Sequence, residues 1–181
     1  MHSDTRKQLD EFFIQQQQQA YKMAYVLTSN RDDALELVQD SMLKLVQSYA
    51  HKPAEEWTLL FYRILQNRIR DFHRRQGIRQ LFHAFLPASE DKTEHEPIQI
   101  ADSQQNQPDN ELQQTHTLTQ ISAALKTLPL RQQQTFLLRA WQEFSTREAA
   151  FALSISEGSI KTHYSRAVAQ LRHLLKENSH E

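Results

Sequence analysis

Apolar residues recur at three- and four-residue steps along most of the chain, and no stretch alternates with the two-residue period of a half-buried strand. The pattern predicts an all-α protein. A first helix over about residues 9–27 turns Leu9, Phe12, Phe13, Ala20, Met23, Ala24 and Leu27 inward and leaves the run "QQQQQ" in solvent. Asn30 is suited to cap a second helix, because its side-chain oxygen can accept an exposed backbone N–H while Asp32 and Asp33 meet the positive helix start. That helix buries Ala34, Leu37, Val38, Met42, Leu45, Val46 and Tyr49. After "HKPAEE" a third helix over about residues 56–76 buries Trp57, Leu60, Phe61, Ile64, Leu65 and Phe72. It is expected to stop at Gly77, which takes a left-handed backbone at little cost.

Between residues 84 and 117 the period dissolves into Pro, Gln, Asn and acidic residues, as in a largely unstructured linker. This break divides the chain into two small helical domains, 1–83 and 118–181, joined by an acidic flexible linker, 84–117. The period resumes with Leu118, Ile121, Leu125 and Leu128 and continues in a proline-started helix through "LRQQQTFLLRAWQEF". In "STREAAFAL", Ser145 and Glu148 have the spacing of a capping box. Only "SISE" separates this short helix from the next, so the pair reads as a helix-turn-helix.

With Ser156 as cap, the last helix carries an inward stripe of Ile160, Tyr164, Ala167, Val168, Leu171, Leu174 and Leu175. Its other side presents Ser159, Lys161, Thr162, His163, Ser165, Arg166 and Arg172, without an acid after Glu157. Hydroxyls, Lys and Arg can bond base edges and phosphates, and small residues let a helix approach the major groove closely. This face is a candidate DNA reader.

Charge sharpens the picture only when it is divided along the chain. The net charge of −1 hides a basic block, 57–83, with 6 basic residues and 1 acid, followed by residues 84–117 with 1 basic residue and 7 acids. Screening acts over about 8 Å in physiological salt, so the local block governs contact with a polyanion. Within it Arg63, Asn67, Arg70 and Arg74 form one ridge at steps of four, three and four, flanked by Arg68, His73, Arg75 and Arg79. The ridge can track a phosphate backbone, and Trp57 and Tyr62 can stack on unpaired bases.

The segment "LPLRQQQTFLLRAWQEFSTREAAFALSISEGSIKTHYSRAVAQLRHLL" resembles the C-terminal DNA-binding domain of sigma-70-family RNA polymerase sigma factors, particularly the extracytoplasmic-function group. "WTLLFYRILQNRIRDFHRR" resembles the family segment that melts and holds the minus-ten element, and "NRDDALELVQDSMLKL" the segment that docks on the polymerase. The resemblance implies upstream, minus-thirty-five recognition by Ser159, Lys161, Thr162, His163, Ser165 and Arg166. It implies minus-ten recognition by Trp57, Tyr62, Arg63, Asn67, Arg70, Arg74 and Arg75, with Asn67 near a flipped base. Gln39, Asp40, Leu43 and Lys44 then bind polymerase. Three departures stand out: Ser154 replaces a common turn Gly, His163 a frequent Arg, and Leu60 a frequent Trp.

The implied partners are core RNA polymerase and promoter DNA, with room for an anti-sigma factor; the acidic linker is suited to the polymerase's RNA path. A LuxR-type regulator shares the "SEG..KTH" helix, but such a protein usually carries a sensing or receiver domain, for which no strand pattern exists here. Enzymatic readings fare worse. Gly77 and Gly158 are the only glycines, too few for a phosphate loop, and the nine histidines include no HExxH pair. No catalytic residue, cofactor or metal is implied. The absence of cysteine suits a reducing cytoplasm, and neither a signal peptide nor a membrane-spanning run is present in the sequence.

Overall fold

In the computed structural model, which describes residues 3–85 and 123–177, side-chain caps set the starts of three helices. The helix α1 (Ser3–Thr28) ends at Ser29, which has a left-handed φ of 58° and whose N–H still bonds Tyr25 O at 2.8 Å. Asn30 then starts α2 (Arg31–Tyr49), its Oδ1 accepting from Asp32 N at 2.8 Å and Asp33 N at 3.0 Å. A turn at residues 50–53 leads into α3 (Ala54–Phe85), about 48 Å long at the usual rise per residue. This helix runs straight through Gly77. Nothing lies within 4 Å of where a Cβ would sit there, and Gly77 has no positive φ, so no left-handed stop is called for.

The three helices close on Leu9, Met23, Leu27, Leu37, Leu45, Phe61 and Leu65, all buried as the period requires. Trp57 anchors one end, donating Nε1–H to Tyr49 O at 3.2 Å and meeting Phe12 edge-on. The burial of Tyr62, Gln66 and Ile69 exceeds the single stripe expected of α3. Gln66 turns its amide to Met23 Sδ at 3.0 Å, and Tyr62 is covered because α3 has a second neighbour.

That neighbour is the C-terminal half. Helical residues 123–126 precede α4 (Leu130–Phe136), which starts at Pro129 and passes into a π turn, Leu137–Trp141. Gln142 N bonds Leu137 O at 3.1 Å, and Glu143, with φ 54°, ends the run. The capping box then starts α5 (Thr146–Leu153): Glu148 N donates to Ser145 Oγ at 3.2 Å and Ser145 N to Glu148 Oε2 at 2.7 Å. The Ser145 hydroxyl and the Ser145 backbone N–H, both acting on the carboxyl, hold the Glu148 pKa below its ordinary value because they favour the ionised form. In the turn, Ser154 takes the left-handed conformation at φ 54° and ψ 46°. Ser156 Oγ caps α6 (Glu157–Glu177), accepting from Ser159 N at 3.1 Å.

A left-handed serine costs more than glycine because its Cβ crowds the backbone. Ser154→Gly is therefore expected to stabilise the chain by about 0.5–1 kcal/mol, read as a thermal midpoint a few degrees higher. An unchanged or lower midpoint would contradict that account of the turn.

Most of the expected 84–117 linker, with Leu118 and Ile121, lies outside the described residues, as does the Leu175 side chain. Among the described residues no helix is long and apolar enough to cross a membrane.

Candidate nucleic-acid interface

Three exposed or partly exposed surfaces collect the polar residues singled out in the sequence. The first is the outer side of α6. Ile160, Ala167 and Leu171 are buried against α4 and α5, and Tyr164 stacks with Phe136 at 6.2 Å, which fixes the rotation of the helix. Lys161, Thr162, Ser165 and Arg166 consequently face solvent. Ser159 is half-buried, its hydroxyl 2.9 Å from that of Ser156, so it serves the cap. His163 is half-buried with its Nδ1 enclosed and unpartnered. Arg147, in the first turn of α5, is exposed and adds a further cation to the helix-turn-helix; periodicity alone gives no reason to choose it over other surface residues.

The second surface is α2. Leu35, Gln39 and Leu43, one helical turn apart, form an exposed stripe, with Leu43 56% and Leu35 38% accessible. Lys44 is exposed beside it. Asp40 instead pairs with Arg68 on α3 at 2.8 Å, tying the two helices together. Sequence reasoning left Leu35 unassigned, outside both the inward stripe of α2 and the docking motif.

The third is the α3 ridge, and the fold divides it. Arg74 and Arg75 are exposed at its far end, Arg74 lying 3.5 Å from Asp71. Arg63, Asn67 and Arg70 are half-buried. The Arg63 guanidinium sits 4.6 Å from the centre of the Phe151 ring, a cation–π geometry. Trp57 and Tyr62 are 2% and 0% exposed, so in this arrangement neither can stack on a base as expected. Tyr62 packs edge-on against Phe144 at 5.4 Å and donates to Gln16 Oε1 at 3.3 Å, and its burial raises the phenol pKa far above the ordinary value. Burial first, and the neighbouring Arg70 charge second, lower the Arg131 pKa. The "QQQQQ" run is thus not all solvated: Gln16 meets Tyr62, and Gln19 approaches Gln142 at 3.5 Å.

The chemistry available is that of cation and hydroxyl donors on one helix, and of guanidinium groups along another. Family comparison decides between possible uses. The family model for sigma-70 region 2 matches residues 12–78, and that for sigma-70 region 4 matches residues 118–171. The chain belongs to the sigma-70 family. The chain is similar to the ECF RNA polymerase sigma factor SigE of Mycolicibacterium smegmatis at 27% identity over 175 residues. The match takes in 95% of this chain but 63% of that relative's length.

The fold of this sigma-70 member is likewise that of solved relatives. RpoE of Bartonella quintana, solved in complex with the anti-sigma factor NepR, superposes with a TM-score of 0.68 at 24% identity, covering 92% of this chain and 96% of that one. CnrH, solved in complex with the cytosolic domain of CnrY, gives 0.61 at 18% identity, covering 93% and 88%. At these identities the likeness is one of fold.

Proposed function

We propose that this chain is a sigma factor: it binds core RNA polymerase, recognises promoter DNA, opens the minus-ten region and directs initiation at a specific gene set. The observation that carries the reading is the presence, in order on one chain, of region 2 and region 4. Each also supplies a polar face suited to its part. On this reading residues 1–83 form the docking and minus-ten domain, 84–117 the acidic linker, and 118–181 the minus-thirty-five domain.

Lys161, Thr162, Ser165 and Arg166 would enter the major groove, and Arg147 would hold a flanking phosphate. Asn67 and Arg70 would hold the extruded strand, with Arg74 and Arg75 along its backbone, offsetting part of the stacking lost on melting. Leu35, Gln39, Leu43 and Lys44 would dock on polymerase, as an apolar stripe with a polar rim suits a protein partner. An anti-sigma factor belongs among the proposed partners, since the Bartonella relative is solved with one. The chemistry of RNA synthesis stays with the polymerase, and the proposed site of action is the cytoplasm.

Run-off transcription with purified core polymerase over a genomic fragment library tests the proposal. Discrete transcripts that need this chain are expected. DNA binding without any initiation would overturn the proposal and favour a LuxR-type regulator.

A further inference from the structure

Two of the residues that flank the α3 ridge in the sequence, Arg68 and His73, spend their polar groups on the other helices of the bundle. Arg68 Nη1 donates to Asp40 Oδ2 on α2 at 2.8 Å, and both side chains are less than half exposed. His73 is half-buried, and its Nε2 lies 2.7 Å from Leu27 O in the last turn of α1. A carbonyl oxygen only accepts, so Nε2 carries the hydrogen and donates. At the helical period Arg68 and His73 fall on opposite flanks of the buried stripe Phe61, Leu65 and Ile69, with Asn67, Arg70 and Arg74 on the far side of the helix. One flank of α3 is thus tied to α2 and the other to α1.

The stripe alone leaves the helix some freedom. Apolar contact is non-directional, so α3 can roll slightly about its axis with little change in buried area. A hydrogen bond weakens steeply away from its preferred angle. Two such bonds, on opposite flanks and to different helices, resist roll in both senses.

We propose that Arg68 and His73 are positioning residues that set the roll of α3, and with it the aim of Asn67, Arg70 and Arg74 at the unpaired strand. The assignment rests on the ridge being the strand-holding surface. It separates the cations around the ridge into two kinds. Arg74 and Arg75 face solvent and can track phosphates, whereas Arg68 and His73 hold the helix that carries them. Asp40, in turn, serves α3 and not the polymerase.

Promoter opening by the full chain at saturating core polymerase, read as permanganate reactivity of unpaired thymines, tests the assignment. Arg68→Met keeps the length of the stem and removes the donors, and His73→Leu removes the ring nitrogens while keeping bulk. Each is expected to lower opening about two- to fivefold, the factor of one partly exposed polar tie, while Arg68→Lys and His73→Gln, which retain a terminal donor, should stay within about twofold of the parent. Asp40→Asn should cost no further opening when added to Arg68→Met, because the bond it removes is already gone. Polymerase affinity of Arg68→Met and His73→Leu should match the parent, which also shows that both variants fold. Promoter binding by the holoenzyme should keep the parent's salt dependence.

A salt slope lower by about one counterion in Arg68→Met would make Arg68 a phosphate contact and overturn the assignment. Undiminished opening, no recovery in the donor-retaining variants, or a further loss on adding Asp40→Asn would overturn it as well. Absence of transcripts from the parent chain would overturn the sigma-factor reading and the assignment that rests on it, whereas a failed pattern among variants of an active parent overturns the assignment alone.

Discussion

Ile160→Ala is expected to destabilise the C-terminal half by about 2–4 kcal/mol, whereas Lys161→Ala, one residue on, should leave stability within about 0.5 kcal/mol of the parent. The difference comes from orientation on α6. Ile160 is 1% exposed and fills the space beneath the first turn of the helix, so truncation removes apolar contact and leaves a cavity that α4 and α5 cannot collapse into. Lys161 is in solvent and has no packing to lose. Its loss should appear in promoter affinity, weakening binding and lowering the salt dependence by about one counterion. Denaturant titration and salt-dependent anisotropy on both variants give the two readouts. Equal stability of the pair would mean that α6 is not seated as described.

Joint replacement of Asn67 and Arg70 by alanine should have the largest functional effect. Both are half-buried side chains on α3, and neither contributes to the Leu9–Met23–Phe61 core, so the fold and the α2 stripe should survive. Polymerase binding is then expected to remain near the parent value. Opening of promoter DNA, read as permanganate reactivity of unpaired thymines, should fall by about a factor of ten or more, since each lost base or cation contact removes about 1–3 kcal/mol. Loss of polymerase binding would assign the ridge to docking; undiminished opening would remove it from the site altogether.

The sequence was most informative where a local rule acts alone. Asn30, Ser145 with Glu148, and Ser156 each announced a helix start through hydrogen-bonding chemistry contained within three residues, and each does so in the fold. The inward stripe of α6 was legible for a similar reason: one helix with one core side gives one period. The α3 helix defeated the same reasoning because it is buried on two sides. Arg63, Asn67 and Arg70 look like a free polar ridge when only the first side is counted, yet all three are half-buried, and the ring against Arg63 comes from the far half of the chain. Gly77 misled in the opposite direction. Glycine is permitted to stop a helix but not obliged to, and the apolar residues beyond it continue the turn.

The seam between the halves is built from amides as much as from rings: Gln16, Gln19, Gln66, Gln134 and Gln142 all sit along it. An amide exchanges a protein partner for water at little net change in free energy, unlike a leucine pulled from a core. Parting the halves would therefore return these amides to water at little net cost, while uncovering the Tyr62 and Phe144 rings.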